Sequence, residues 1–221
     1  MMEARTNDPA ILLTGFEAFG DSEKNPTAEI VRILDGTSVG DHRVSGIALP
    51  VTAAGAPEAL KEAIVLHDPS LVLSLGLAGG RSMLALERIA INVLDFPIAD
   101  NDGLQPSDEP VAEDGPAAYF TTLPIKAILA AWHEAGLPGY VSNTAGTYVC
   151  NQTFYNSLHL SVAHRYRAGL IHVPYLPEQA AGIEGGASSM SLDLMVEAVE
   201  IALRVSTERS KDLILPAGAI S

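Results

Sequence analysis

Short apolar runs, each closed by glycine or proline and separated by a helix-like stretch, constrain this chain more than any other feature. Residues 10–14 (AILLT) stop at Gly15, 44–49 (VSGIAL) at Pro50, 71–75 (LVLSL) at Gly76, and 170–173 (LIHV) at Pro174. Runs of that length with such punctuation are buried strands. Between them, 27–34, 53–67, 123–135, 150–166 and 191–205 carry helical patterns. In the closing helix Leu194, Met195, Val199 and Leu203 form the core-facing stripe. Residues 87–94 (ERIAINVL) alternate as a further strand, with Ile89, Ile91 and Val93 on one face. Tyr140 to Ser142 read as another short strand. With no repeat and no linker, this order predicts one α/β domain over 10–221, a three-layer α/β/α sandwich around a largely parallel, mixed, twisted sheet. Residues 1–9 read as a flexible N-terminal extension.

The totals exclude several classes. A net charge of −14 opposes binding to nucleic acid or an anionic membrane. No apolar run approaches the roughly 20 residues that cross a bilayer, and the start has no secretory-signal pattern. A single cysteine allows no internal disulfide, which points to a reducing, cytoplasmic setting. It also cannot build a Cys-rich zinc site, and the six histidines lack metalloprotease spacing, so no metal or other cofactor is expected.

In an α/β sheet, ligands sit beyond the carboxyl ends of strands. Four segments meet that rule: GFEAFG (15–20), GLAGGR (76–81), NTAGTYVCN (143–151) and HVPYLPEQ (172–179). Cys150 falls at a helix start, where free N–H groups and the helix dipole stabilise a thiolate; a buried inert cysteine is the plain alternative. His172 is either a hydrogen-bonded core residue or the general base for that sulfur. The group that would orient the imidazole could be Glu17, Glu87, Asp95, Asp100 or Glu178. Glu87 could equally be half of a structural pair with Arg88 or Arg81. The GLAGGR loop lacks phosphate-loop spacing and could instead aim N–H groups at an oxyanion. Phe16 and Phe19 are core plugs or the walls of a small apolar pocket. A nucleoside phosphorylase or hydrolase and a silent binding protein are competing classes on this fold type. A long polar stretch over 97–115, richer in Asp, Pro and Gly than a connection needs, is functional or mobile.

At these segments the chain resembles the pyroglutamyl peptidase I (pyrrolidone carboxyl peptidase) family of cysteine peptidases. The stretches that carry the likeness are ILLTGFEAFG with NPT, LGLAGGR, ERIAIN, ADNDG, GPAAYFTTLPI, SNTAGTYVCNQTFY and IHVPYLPEQ, with the tail SMSLDLMVEA. The resemblance implies a catalytic triad of Glu87, Cys150 and His172, and aromatic walls at Phe16 and Phe19. It also implies pocket-lining roles for Asn25, Leu77, Tyr148 and Val149. Peptides with an N-terminal pyroglutamyl residue are the implied substrates, and a homo-oligomer, dimer or tetramer, is the implied assembly. Gly80 and Arg81, in the loop before Glu87, are expected to supply backbone donors to the oxyanion. The chain departs from the family where Ala18, Leu86 and Ala99 replace proline and Leu77 replaces glutamine. A pocket contact made by the Leu77 backbone would tolerate that change. A lost side-chain hydrogen bond would cost about 0.5–1.5 kcal/mol of binding.

Overall fold

The computed structural model describes residues 9–20 and 22–218; the expected extension at 1–9 lies, Pro9 apart, outside them. In chain order the elements are β1 (Ala10–Phe16), α1 (Pro26–Leu34), β2 (Ser38–Val39), β3 (His42–Leu49), α2 (Gly55–His67), β4 (Leu71–Leu77), β5 (Leu84–Glu87), β6 (Ile89–Ile91), β7 (Ala118–Phe120), α3 (Ile125–Glu134), β8 (Gly139–Ser142), α4 (Val149–His164), β9 (Arg167–Val173), α5 (Pro177–Ala181) and α6 (Leu192–Glu208). Seven strands form one sheet in the order β2-β3-β1-β4-β9-β5-β8. Its pairings are parallel except β2 with β3 and β5 with β9, so the fold is the expected mixed α/β domain.

Strand periodicity divides the core in two. Ile11 and Leu13, Leu71, Leu73 and Leu75, and Ile171 and Val173 pack beneath α1, α3 and α6. Leu12 and Phe16, Val72, and Ala168 and Leu170 face α2 and α4. Trp132 is fully buried in the first layer, its indole N–H donating to Ala198 O at 2.8 Å. In α6, Met195, Val199 and Leu203 are buried as expected, but Leu194 is exposed, because Ala198 and Ala202 complete the stripe instead.

The alternating segment 87–94 is not one strand. Glu87 ends β5 in the main sheet, whereas Ile89–Ile91 leave it to pair antiparallel with β7 in a separate ribbon. Alternation continues through Arg88, but the pairing partner changes there, and a period of two carries no information about partners.

The sheet opens at one place. β1 is joined to β3 by α1 on one side, and β3 returns across it to β4 on the other. Pairing of β1 with β4 stops at Thr14 and Ser74, while β1 follows β3 as far as Phe16 and Leu49. The Phe16 N–H turns to Thr27 Oγ1 at 2.8 Å instead of to β4. This is the switch point at which α/β sheets leave a crevice.

Candidate active site

Register places the chemistry on the face toward α2 and α4, at the carboxyl end of the crevice. Gly76 of β4 lies directly beside His172 of β9, and His172 lies opposite Ala85 of β5. Glu87, two residues beyond Ala85, shares that face and sits diagonal to the imidazole. His172 Nδ1 is 2.7 Å from Glu87 Oε1. A carboxylate only accepts, so Nδ1 is the donor of this bond, and a neutral imidazole held this way turns the lone pair of Nε2 to the crevice.

Cys150 reaches the same point from above. It is the second residue of α4, and its own N–H faces its sulfur. A Cβ placed on Gly76 would lie 2.8 Å from His172 Nε2 and 2.9 Å from Cys150 Sγ. Sulfur and imidazole therefore flank one small volume that only a glycine leaves open. The structure brings Cys150, His172 and Glu87 together; Glu17, Asp95 and Glu178 are exposed elsewhere, and Asp100 accepts three loop N–H bonds, from Ala53, Asp102 and Leu104.

The electrostatics differ from the sequence expectation for the sulfur. Burial first, then the Glu87 carboxylate, push the Cys150 thiol from 9.0 up to about 12; its own N–H and Arg81 oppose this without prevailing. That direction favours the thiol over the thiolate that a helix start alone suggests. The helix dipole acts on this sulfur, but desolvation and a nearby carboxylate outweigh it.

Glu87 is fully buried, and its Oε1 also receives Arg81 Nη1 at 2.9 Å. Of the two pairings open from sequence, Arg81 is the one formed; Arg88 reaches Ala217 O instead. The Arg81 N–H, expected as an oxyanion donor, is turned to Ala78 O at 3.3 Å within the loop, so it is not directed at the crevice. The N–H groups of Gly80 and Cys150 have no backbone acceptor among the described residues beyond this loop and helix start.

The crevice wall is aromatic. Phe16 is buried at the end of β1, and Phe19 lies 6.4 Å, centroid to centroid, from Tyr148, which stands 4.5 Å from Phe96. Phe96 had no signal of its own in sequence, because it falls between the alternating segment 87–94 and the polar stretch that starts at 97. Val149 is buried behind this wall. Asn25 caps α1, with Oδ1 accepting the Thr27 N–H and hydroxyl and Nδ2 donating to Glu17 O. It thereby holds the Phe16–Phe19 loop, a task that its sequence position just before Pro26 makes readable as an N-cap.

Leu77 ends β4. Ala78 donates to Val173 O, so alternation along the ladder turns the Leu77 N–H and C=O the other way, toward the position β1 has left. Ala18 and Ala99 enter the site region through their carbonyls, bonded to Asn101 Nδ2 and the Tyr148 hydroxyl, and Leu86 is core. The same bonds pin the first part of the 97–115 stretch beside the aromatic wall. A surface depression of about 320 Å³, lined by Arg88, Phe120, Lys126 and Asp212 among others, lies away from this chemistry. Among the described residues no three His, Cys, Asp or Glu side chains converge as metal ligands, and no helix is long and apolar enough to cross a membrane.

Residues 9–209 match the family model described as pyroglutamyl peptidase. The chain is 46% identical over 210 residues to a pyrrolidone-carboxylate peptidase of Vibrio campbellii, covering 95% of this chain and 98% of the relative. It is 44% identical to the enzyme of that name from Pyrococcus furiosus, over 90% and 98% of the two chains. A crystal structure of a single-substitution variant of the P. furiosus pyrrolidone carboxyl peptidase superposes with a TM-score of 0.89 at 44% identity, covering 90% of this chain and 98% of that one.

Proposed function

Because the chain belongs to the pyroglutamyl peptidase family, a family of cysteine-type peptidases, we propose that it hydrolyses the bond after an N-terminal pyroglutamyl residue, with Cys150 as nucleophile, His172 as acid and base, and Glu87 orienting the imidazole. The observation that supports this most is the meeting of Cys150 Sγ and His172 Nε2 over Gly76, with Glu87 on the far ring nitrogen.

In this reading the reaction starts from neutral partners. As Sγ attacks the pyroglutamyl carbonyl, its proton passes to His172 Nε2, and Glu87 stabilises the imidazolium that forms. The Cys150 N–H, with Gly80 as a second donor, holds the oxyanion; each such donor contributes about 2.7–4 kcal/mol. Collapse breaks the C–N bond, and His172 returns its proton to the leaving amine. Water, deprotonated by His172, then attacks the thioester, releasing pyroglutamate and restoring the thiol.

Pyroglutamate is a flat lactam with one N–H and one C=O and no ammonium group. Phe16, Phe19 and Tyr148 suit its ring, and the outward-turned Leu77 N–H and C=O suit its amide edge. The Leu77 departure is then tolerated, since the contact is made by backbone. A free N-terminus would bring a charged ammonium against these aromatic and apolar side chains, and is rejected on that ground. A cytoplasmic location and assembly into dimers or tetramers belong to the same reading.

Release from pyroglutamyl and prolyl reporter substrates tests it. Rapid turnover of the first alone, abolished in Cys150→Ser, is expected. Equal turnover of both, activity surviving that substitution, or tight binding without turnover would overturn it.

A further inference from the structure

We propose that the Arg81 side chain is a positioning residue of this centre, setting the pH at which Cys150 and His172 work by counter-charging the Glu87 oxygen that both it and His172 share. The inference rests on the reading of Cys150, His172 and Glu87 as one catalytic unit, and goes beyond it by adding a fourth member from a different loop.

Glu87 is fully buried, yet both of its bonds fall on one oxygen: Oε1 takes Arg81 Nη1 at 2.9 Å and His172 Nδ1 at 2.7 Å, while Oε2 has no partner among the described residues. A buried carboxylate with so few donors must be neutralised by a neighbour. Were His172 its only partner, the uncompensated carboxylate would favour a positive charge on the imidazole. A protonated His172 cannot take the Cys150 proton, and the general-base step would stop. Arg81 meets that demand with a charge that never titrates, leaving the imidazole free to pick up and release its proton.

The loop is built to hold Arg81 there. The Arg81 N–H closes a turn on Ala78 O, Gly80 adopts φ +84°, and a Cβ on Gly79 would collide with the Tyr175 ring. The charged and titratable groups facing the centre are Arg81 from this loop, Glu87 from β5, Tyr148 and Cys150 from the start of α4, and His172 from β9, with Tyr175 packed against Gly79 and Asp100 acting on Tyr148. Arg81 alone among them is permanently positive. Its direction of action on Cys150 is downward, opposing Glu87.

Removing this charge favours the protonated form of both His172 and Cys150. Both limbs of the pH profile therefore move to higher pH, whichever group each limb reports. Arg81 is 30% exposed, so solvent screens part of its effect; a shift of about 0.5–1 pH unit is expected.

Two readouts separate this proposal from the proposed function. The first is the pH dependence of alkylation by iodoacetamide, which reports Cys150 alone because the chain has one cysteine. The second is the pH dependence of kcat/KM on a pyroglutamyl reporter. In Arg81→Met both profiles should shift upward, with thermal melting confirming a folded protein, and Arg81→Lys should restore them toward the parent. Arg81→Gln, which keeps a donor without the charge, carries the same test should the methionine variant not fold. An alkylation shift in a protein without peptidase activity would support the role of Arg81 and sink the proposed function. Profiles reduced in amplitude but unmoved in pH, or a lysine variant no better than methionine, would overturn the role of Arg81.

Discussion

At Gly76 one methyl group would separate the two side chains that must meet. A Cβ there lies within 3 Å of both Cys150 Sγ and His172 Nε2, on a strand whose backbone cannot retreat because β9 is paired to it. Gly76→Ala should cost about 1–3 kcal/mol of stability and at least about 10²-fold in kcat/KM, read from thermal melting and reporter kinetics; an active alanine variant would place the reaction elsewhere. Cys150 also makes a prediction about stability. Its thiol is raised from 9.0 to about 12 in the folded protein, so its contribution is intact below about pH 9 and declines as pH rises through that window. There the unfolded chain releases a proton that the folded chain retains. Urea midpoints should therefore fall as pH rises above about 9, and fall less in Cys150→Ala. Tyr148, Tyr155 and Tyr166, raised by burial, keep their share of the decline in both proteins.

The crevice is made by elements, chiefly by β1 parting from β4, and the parting is held by α1. Thr27 takes the Phe16 N–H that β4 would otherwise receive, and Asn25 caps the same helix while tying down Glu17. Asn25→Ala should lower stability by about 1 kcal/mol and raise KM more than it lowers kcat, because it loosens an aromatic wall and leaves Cys150 and His172 untouched; steady-state kinetics with a denaturation curve separate the two effects. At this scale much was legible in sequence. The apolar runs at 10–14, 44–49, 71–75 and 170–173 are all strands of the sheet, and the strand-end rule led to the segments that hold Phe16, Cys150 and His172. What was not legible depends on partners distant in sequence. Periodicity cannot show that the chain changes sheets at Arg88, nor that Leu66 and Leu194 face outward. From residue patterns alone Glu87 was one of five open carboxylates; the family resemblance singled it out, and register sets it diagonal to His172. Arg81 was visible as a charge, but whether its backbone or its side chain acts depends on how the loop turns. Gly76 was visible as a glycine, but its reason is a close approach that no local pattern encodes.

Across the whole molecule, the site rests on a core layer it does not touch. Trp132, the chain's one tryptophan, is fully buried between α3 and α6 on the opposite face of the sheet from Cys150. Trp132→Ala should cost about 3–5 kcal/mol while leaving kcat/KM of the molecules that remain folded near the parent value, measured below the lowered melting point. A large loss of kcat/KM in the folded fraction would mean that the two layers are coupled. The same sheet carries Gly76, His172 and Glu87 to one face, and a helix start delivers the sulfur to it. The direct measurement is the mass of the protein after rapid acid quench during turnover of an activated pyroglutamyl ester. One pyroglutamyl group should be found on Cys150, absent in Cys150→Ser and diminished when His172 is replaced. Hydrolysis that proceeds with Cys150 unlabelled, or with the acyl group on another residue, would contradict it.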